Sequence, residues 1–175
     1  MELRPITAPD TPALIAFVAR IPEGDRTFLE ADALDPARVA SWAGDQRARR
    51  VVAVDGADVV GIVTVVPGLG WTSHVGELRL VVDPARRRAG LGRTLARRGL
   101  LEALDLGLAK LTVEVTAPNQ GALAMFTGLG FTPEALLHDH VRDGTGALQD
   151  LVILAHEVSE QWGAMATVGL DEALS

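Results

Sequence analysis

The segment from Glu77 to Thr116 restricts what this chain can fold into more than any other. Glu77-Leu-Arg-Leu-Val-Val82 is an apolar, β-branched run that stops at Asp83-Pro84. After a short arginine- and glycine-rich stretch, Gly92–Leu106 reads as a helix. Leu95, Ala96, Gly99, Leu100, Ala103 and Leu106 fall on one face of its 3.6-residue period. Gly107 closes the helix, and Leu111–Thr116 is a second strand. Strand, helix, strand is a βαβ unit, so the two strands are expected to run parallel in one sheet. The small residues on the inner helix face let the helix lie close on that sheet.

The turn between strand and helix is the chemically pointed part. It reads Arg87-Arg-Ala-Gly90-Leu-Gly92-Arg93. Its glycines allow φ > 0 and a close ligand approach. The helix N-terminus behind them offers unpaired N–H groups and a positive dipole end, a site suited to a pyrophosphate. Neighbouring arginines add bidentate donors. The turn is neither a Gly-x-Gly-x-x-Gly dinucleotide pattern, because Leu95 stands where the third glycine belongs, nor a P-loop, because no Gly-Lys-Ser/Thr follows. Read alone, it is equally a tight turn without a ligand.

Charge sharpens this. Six of the sixteen basic residues lie between Arg86 and Arg98, with no acid from Pro84 to Leu101. Against a net charge of −7, the rest of the chain therefore carries −13. One basic patch on an acidic body suits a single compact polyanion better than nucleic acid, which asks for a broad basic surface. A solvated helix face is the plainer alternative.

The remaining elements fit one domain over residues 1–158. Glu2–Ile6 reads as a strand, and Asp10 as the cap of a helix bearing Leu14, Phe17, Val18 and Ile21. Asp35-Pro36 opens a second helix. Val51–Val54 and Val59–Val66 flank Asp55-Gly56 as a β-hairpin. Pro67–His74 is a loop. Gln120–Gly128 is a short helix, and Ala135–Arg142 and Leu148–Val158 form a second hairpin. Residues 159–175 are a weakly patterned tail whose Trp162 and Met165 could pack on the domain or on a neighbouring subunit, which leaves a homodimer open. With no apolar run near a membrane span and no secretory leader, the expectation is a cytoplasmic protein. No cysteine is present, which removes disulfides, thiolate ligands and a cysteine nucleophile. His74, His138, His140 and His156 show no metal spacing, so no metal is expected; His138 and His140, two apart, could share a strand face.

Glu77-Leu-Arg-Leu-Val-Val-Asp-Pro84, then Arg87-x-x-Gly90-x-Gly92, then Asn119, Ala122, Phe126 and Gly130-Phe131, resembles the core of the GNAT superfamily of N-acetyltransferases. The motifs cover Gly76–Thr132 and the layout Glu2–Val158. The resemblance implies an α/β fold. Its central mixed sheet has about six to seven strands, splays between two parallel strands and is flanked by about four helices. It implies acetyl-CoA in the splay. Backbone groups of Leu80, Val81 and Val82 would meet the pantetheine arm. The amides of Arg88, Ala89, Gly90, Leu91, Gly92 and Arg93 would hold the pyrophosphate, with Arg87 beside them. Asn119 would bond the pantetheine or order the next helix.

The implied reaction moves acetyl to a primary amine by direct attack in a ternary complex. A neutral amine requires a base. Glu114, mid-strand in Leu111-Thr-Val-Glu-Val115, is the first candidate and Glu77 the second; a solvent-facing strand residue is the plain alternative for each. Phe126 departs from the family, where a tyrosine often protonates the leaving thiolate, and this chain has no tyrosine. Water or Thr127 could substitute. The rival reading is a catalytically weak or inactive acetyl-CoA-binding sensor. A third, a nucleotide-binding regulator, does not explain Asn119 and Gly130-Phe131. Acids near the cleft suit a cationic acceptor: a peptide N-terminus, a lysine, a polyamine or an aminoglycoside-type amine.

Overall fold

The computed structural model describes residues 1–26, 29 and 35–158. Readings that fall on residues 159–175 lie outside them. Seven strands form one mixed sheet: β1 (Glu2–Pro5), β2 (Arg49–Asp55), β3 (Asp58–Pro67), β4 (Val75–Val82), β5 (Lys110–Thr116), β6 (Thr132–Arg142) and β7 (Leu148–Glu157). Their order is β1-β2-β3-β4-β5-β7-β6. Four helices flank it: α1 (Thr11–Arg20), α3 (Pro36–Ser41), α4 (Leu91–Asp105) and α5 (Gln120–Thr127). A single turn, α2 (Glu23–Arg26), follows α1.

The expected parallel pair is β4 and β5. They are bonded only from Val75 to Leu78 against Lys110 to Val113. Beyond those residues β4 stays paired with β3 through Leu80, Val81 and Val82. β5 stays paired with β7 through Glu114, Val115 and Thr116. The sheet therefore opens along its own middle, leaving one edge of Arg79–Val82 without a strand partner among the described residues.

Two cores hold the halves. Leu14, Phe17, Val18 and Ile21 of α1, with Val39 of α3, bury against Val52, Val59, Ile62 and Val81 on one face. On the other face Leu91, Leu95, Ala96, Leu100 and Ala103 of α4 pack against Val63, Val65, Leu78, Leu111 and Val113. Fully burying side chains such as Leu95 or Leu111 stabilises by roughly 1.5–3 kcal/mol each. The close helix–sheet contact rests on Gly99: a Cβ there would stand 2.6 Å from a Leu78 methyl. β3 is buried on both faces and so reads as a continuous apolar run.

Two expectations are corrected. Asp10 sits at the N-cap of α1, but its side chain makes no cap bond. Its carboxylate instead takes both ends of the Arg4 guanidinium, each at 2.7 Å, and the amide and hydroxyl of Thr7. These charged donors hold its acidity well below the usual carboxylate range. Asp10 thus ties β1 to the turn before α1. His138 and His140 do not follow simple alternation, because a bulge between Leu137 and Val141 interrupts β6, with Asp139 at φ 51°. His138 Nδ1 lies 3.2 Å from Asp150 instead. Asp35 behaves as read, accepting from the Ala37 amide at 2.9 Å.

Candidate active site

The opening between β4 and β5 is a cleft of about 1110 Å³. Its β4 wall carries Arg79, Leu80, Val81 and Val82; its β5 wall carries Val113, Glu114 and Val115. α5 and the turn before α4 close the remaining sides. Leu80, Val81 and Val82 all line the cleft as expected, along the β4 edge that has lost its strand partner.

At one end lies the arginine- and glycine-rich turn before α4. Arg87, Arg88, Gly90, Gly92 and Arg93 line the cleft, whereas Ala89 and Leu91 do not. Ala89 is exposed, and Leu91 turns into the core. Gly90 caps α4 with φ +83°, and the preceding Arg88 has φ 63°. Nothing lies within 4 Å of a Cβ placed on Gly90, so glycine serves conformation there and not room. Gly92 differs: its Cβ would meet Met125 Sδ at 3.4 Å and the side chains of Leu80 and Val82 at 3.9 Å, on the cleft floor.

The arginines are not equivalent. Arg87 is engaged, its Nη2 lying 2.5 Å from Asp25 Oδ2 and its Nε 3.4 Å from the Val82 carbonyl. Arg88 and Arg93 have no ion-pair partner among the described residues. Two further pairs pin the turn from outside the cleft, Arg20 to Asp83 at 2.8 Å and Arg86 to Asp55 at 2.7 Å.

At the other end stand three charged side chains on one sheet face. Glu77 is opposite Thr112 across the paired stretch, and alternation puts Arg79 and Glu114 on that same face, one on each wall. Arg79 holds both oxygens of Glu77, at 2.7 and 3.0 Å. Glu114 is exposed and makes no hydrogen bond or ion pair among the described residues. The neighbours of Glu114, Val113 and Val115, point the other way into the core.

Asn119 caps α5, accepting from the Ala122 amide at 3.1 Å. Of its two expected roles, ordering the helix is the one seen. Phe126 is 3% exposed, with its ring edge-on to Phe131 at 5.2 Å. It lines the cleft and has no proton to give. Thr127 is exposed at the end of α5 and does not line the cleft.

Sequence reasoning missed Asp25, Arg79, Gln120 and Met125 in the cleft wall. The Glu77-x-Arg79 spacing in a strand was a usable signal for a same-face pair. Nothing local marks Asp25, which reaches the turn across 62 residues of chain.

Comparison with known proteins bears on this geometry. The family model described as Acetyltransferase (GNAT) family matches residues 15–131. A mycothiol acetyltransferase of Catenulispora acidiphila is 48% identical over 59 residues, 33% of this chain and 19% of that protein. The ribosomal protein bS18-alanine N-acetyltransferase of Escherichia coli is 36% identical over 80 residues, 46% of this chain and 53% of that protein. The matches thus span about a fifth and about half of those relatives. Among solved structures, yncA of Salmonella typhimurium with its cofactor acetyl-CoA superposes with TM-score 0.77 at 19% identity, covering 91% of this chain and 95% of that one. A ribosomal-protein-alanine N-acetyltransferase of Brucella melitensis gives 0.75 at 23% identity, covering 90% and 99%. At these identities the superpositions speak to fold.

Proposed function

The chain belongs to the GNAT family of acetyltransferases, and on that footing we propose that residues 1–158 form one domain that transfers acetyl from acetyl-CoA to a primary amine. The observation that carries the proposal is the sheet opening itself: among the described residues, a strand edge without a partner, running from a glycine-bearing helix N-terminus to the unpaired carboxylate of Glu114.

The residues fit the co-substrate. Peptide groups along Leu80–Val82 would meet the pantetheine amides. The amides behind Gly90 and the side chains of Arg88 and Arg93 would hold phosphates at the α4 N-terminus. Bound there, acetyl-CoA would supply an acetyl thioester, a carbonyl activated toward an amine nucleophile. Glu114 is the base in this reading. Its carboxylate is free to take the proton of an ammonium ion, directly or through one water. Glu77 is the weaker candidate, because Arg79 occupies both its oxygens. Phe126 shapes and dries the cleft. With Thr127 outside it, protonation of the leaving sulfur falls to water, and a thiol of pKa about 8.5 leaves tolerably as the anion. The acceptor is a cationic amine, of the kind a peptide N-terminus presents; the relative that modifies a ribosomal-protein alanine is one precedent.

The test is calorimetric titration of acetyl-CoA, followed by a broad primary-amine screen for CoA release. Binding with turnover of at least one amine class is expected. Binding without turnover of any amine would select the sensor reading, which Phe126 favours. No binding would remove both.

A further inference from the structure

We propose that the Asp25–Arg87 ion pair is a strap in the cleft wall that CoA phosphates undo, Arg87 passing from the Asp25 carboxylate to a phosphate oxygen. The inference rests on the cofactor reading above and adds a linkage between the phosphate turn and α2.

Three observations carry it. Asp25 and Arg87 both line the cleft, yet they come from different elements, α2 and the turn before α4. Their contact therefore lies in the lining that a ligand in the cleft would meet. Next, the turn does not need this pair to keep its shape. Asp83 is buried, takes Arg20 at 2.8 Å and accepts from the Ala85 amide at 2.9 Å, while Arg86 holds Asp55. None of these four side chains lines the cleft. Finally, among the described residues Arg87 is the one cleft arginine of the turn whose ion partner is a cleft residue. Arg88 and Arg93 stand ready among the described residues, while Arg87 arrives already neutralised.

A guanidinium bonds phosphate as well as carboxylate, often by two parallel N–H···O bonds. The exchange is cheap because the pair is part-exposed: side-chain exposures are 43% and 37%. A carboxylate released to water at such a site loses little. Once Arg87 turns to a phosphate, Asp25 faces negative charge and α2 moves off the turn. Cofactor binding would thereby loosen α2 at the α4 end of the cleft.

The experiment is a double-mutant cycle read by calorimetry with CoA as the probe, on wild type, Asp25→Asn, Arg87→Gln and the double variant. Thermal midpoints without CoA establish that each is folded. Breaking a competing part-exposed pair is expected to tighten CoA about two- to five-fold in Asp25→Asn. In the Arg87→Gln background the same change should leave affinity unaltered. Hydrogen exchange should show α2 amides less protected in wild type once CoA is added. Equal tightening in both backgrounds would mean that Asp25 acts only through its field, and the strap would be wrong. Weaker CoA binding in Asp25→Asn, or α2 amides more protected with CoA, would mean that the pair stays closed over the ligand, which also overturns it. Failure of wild type to bind CoA at all would remove the cofactor reading first and the strap with it. An intact wild-type titration with a failed cycle removes the strap alone.

Discussion

The two ends of the cleft are built differently. The α4 end is made from backbone: a left-handed Gly90, helix amides and a strand edge left open by the splay. The β5 end is made from side chains that register brings to one face, Glu77, Arg79 and Glu114. A backbone site tolerates side-chain change but not change in conformation or room. A side-chain site fails when one functional group is replaced, even by an isostere.

The strongest way to break this comparison is Glu114→Gln, which keeps shape and removes the base. We expect kcat/KM to fall by about 10²–10⁴ with acetyl-CoA affinity unchanged, and the deficit to shrink as pH rises and the amine deprotonates unaided. Glu77→Gln, whose parent carboxylate is held by Arg79, should lose far less. A pH–rate series on both variants decides; full activity in Glu114→Gln beside a crippled Glu77→Gln would place the base on the wrong wall.

Next in size is Gly92→Val. Its branches would fill the floor between Met125, Leu80 and Val82. Overpacking of this kind costs about 1–3 kcal/mol, and the same clash met by a ligand on that floor would weaken CoA by roughly 5- to 150-fold. The β6–β7 hairpin should stay folded. Calorimetry beside a far-UV spectrum would show it, and unchanged affinity in the folded variant would detach the turn from the cofactor.

Arg93→Gln is a smaller perturbation, since it removes one exposed charge from a site built mainly on amides. About three- to ten-fold weaker CoA binding, with a shallower salt dependence, is expected. Dephospho-CoA should bind wild type more weakly than CoA. If the two ligands bind alike and the salt slope is flat, the arginine run is a solvated surface and nothing more.

The smallest effect lies outside the cleft and serves as its reference. His156 is 3% exposed, leans on Phe131 at 5.1 Å, and neither ring nitrogen meets a partner in hydrogen-bond geometry among the described residues. Burial lowers its pKa below the usual 6.5. The unfolded chain then binds a proton that the folded chain refuses. Stability is full above about pH 6.5 and declines as pH falls through the window beneath it. His156→Leu should flatten the thermal midpoint across that window while wild type slopes downward. Parallel slopes would locate the titrating group elsewhere.

Legibility followed the same division. The βαβ unit was readable because a helix period of 3.6 between two β-branched runs leaves few alternatives, and Gly99 marked the close packing before any contact was known. Gly90 and Gly92 were readable for the same local reason, although Gly90 turned out to serve conformation alone. Asp10 misled because an aspartate before a helix is a cap by default, and only the fold brought Arg4 within reach of it. The pairing of Glu77 with Arg79 was within reach of period-two reasoning; the approach of Asp25 to Arg87 was not.

By itself, then, the sequence determined the elements and the glycine-bearing turn before α4, since propensity, period and turn conformation are properties of neighbouring residues. Tertiary structure alone decided which charges are paired. Strand register sets Glu114 and Arg79 on opposite walls, and the folding of α2 onto the turn gives Arg87 a partner. Such contacts join residues far apart in the chain, and their energies depend on distances that no local pattern encodes.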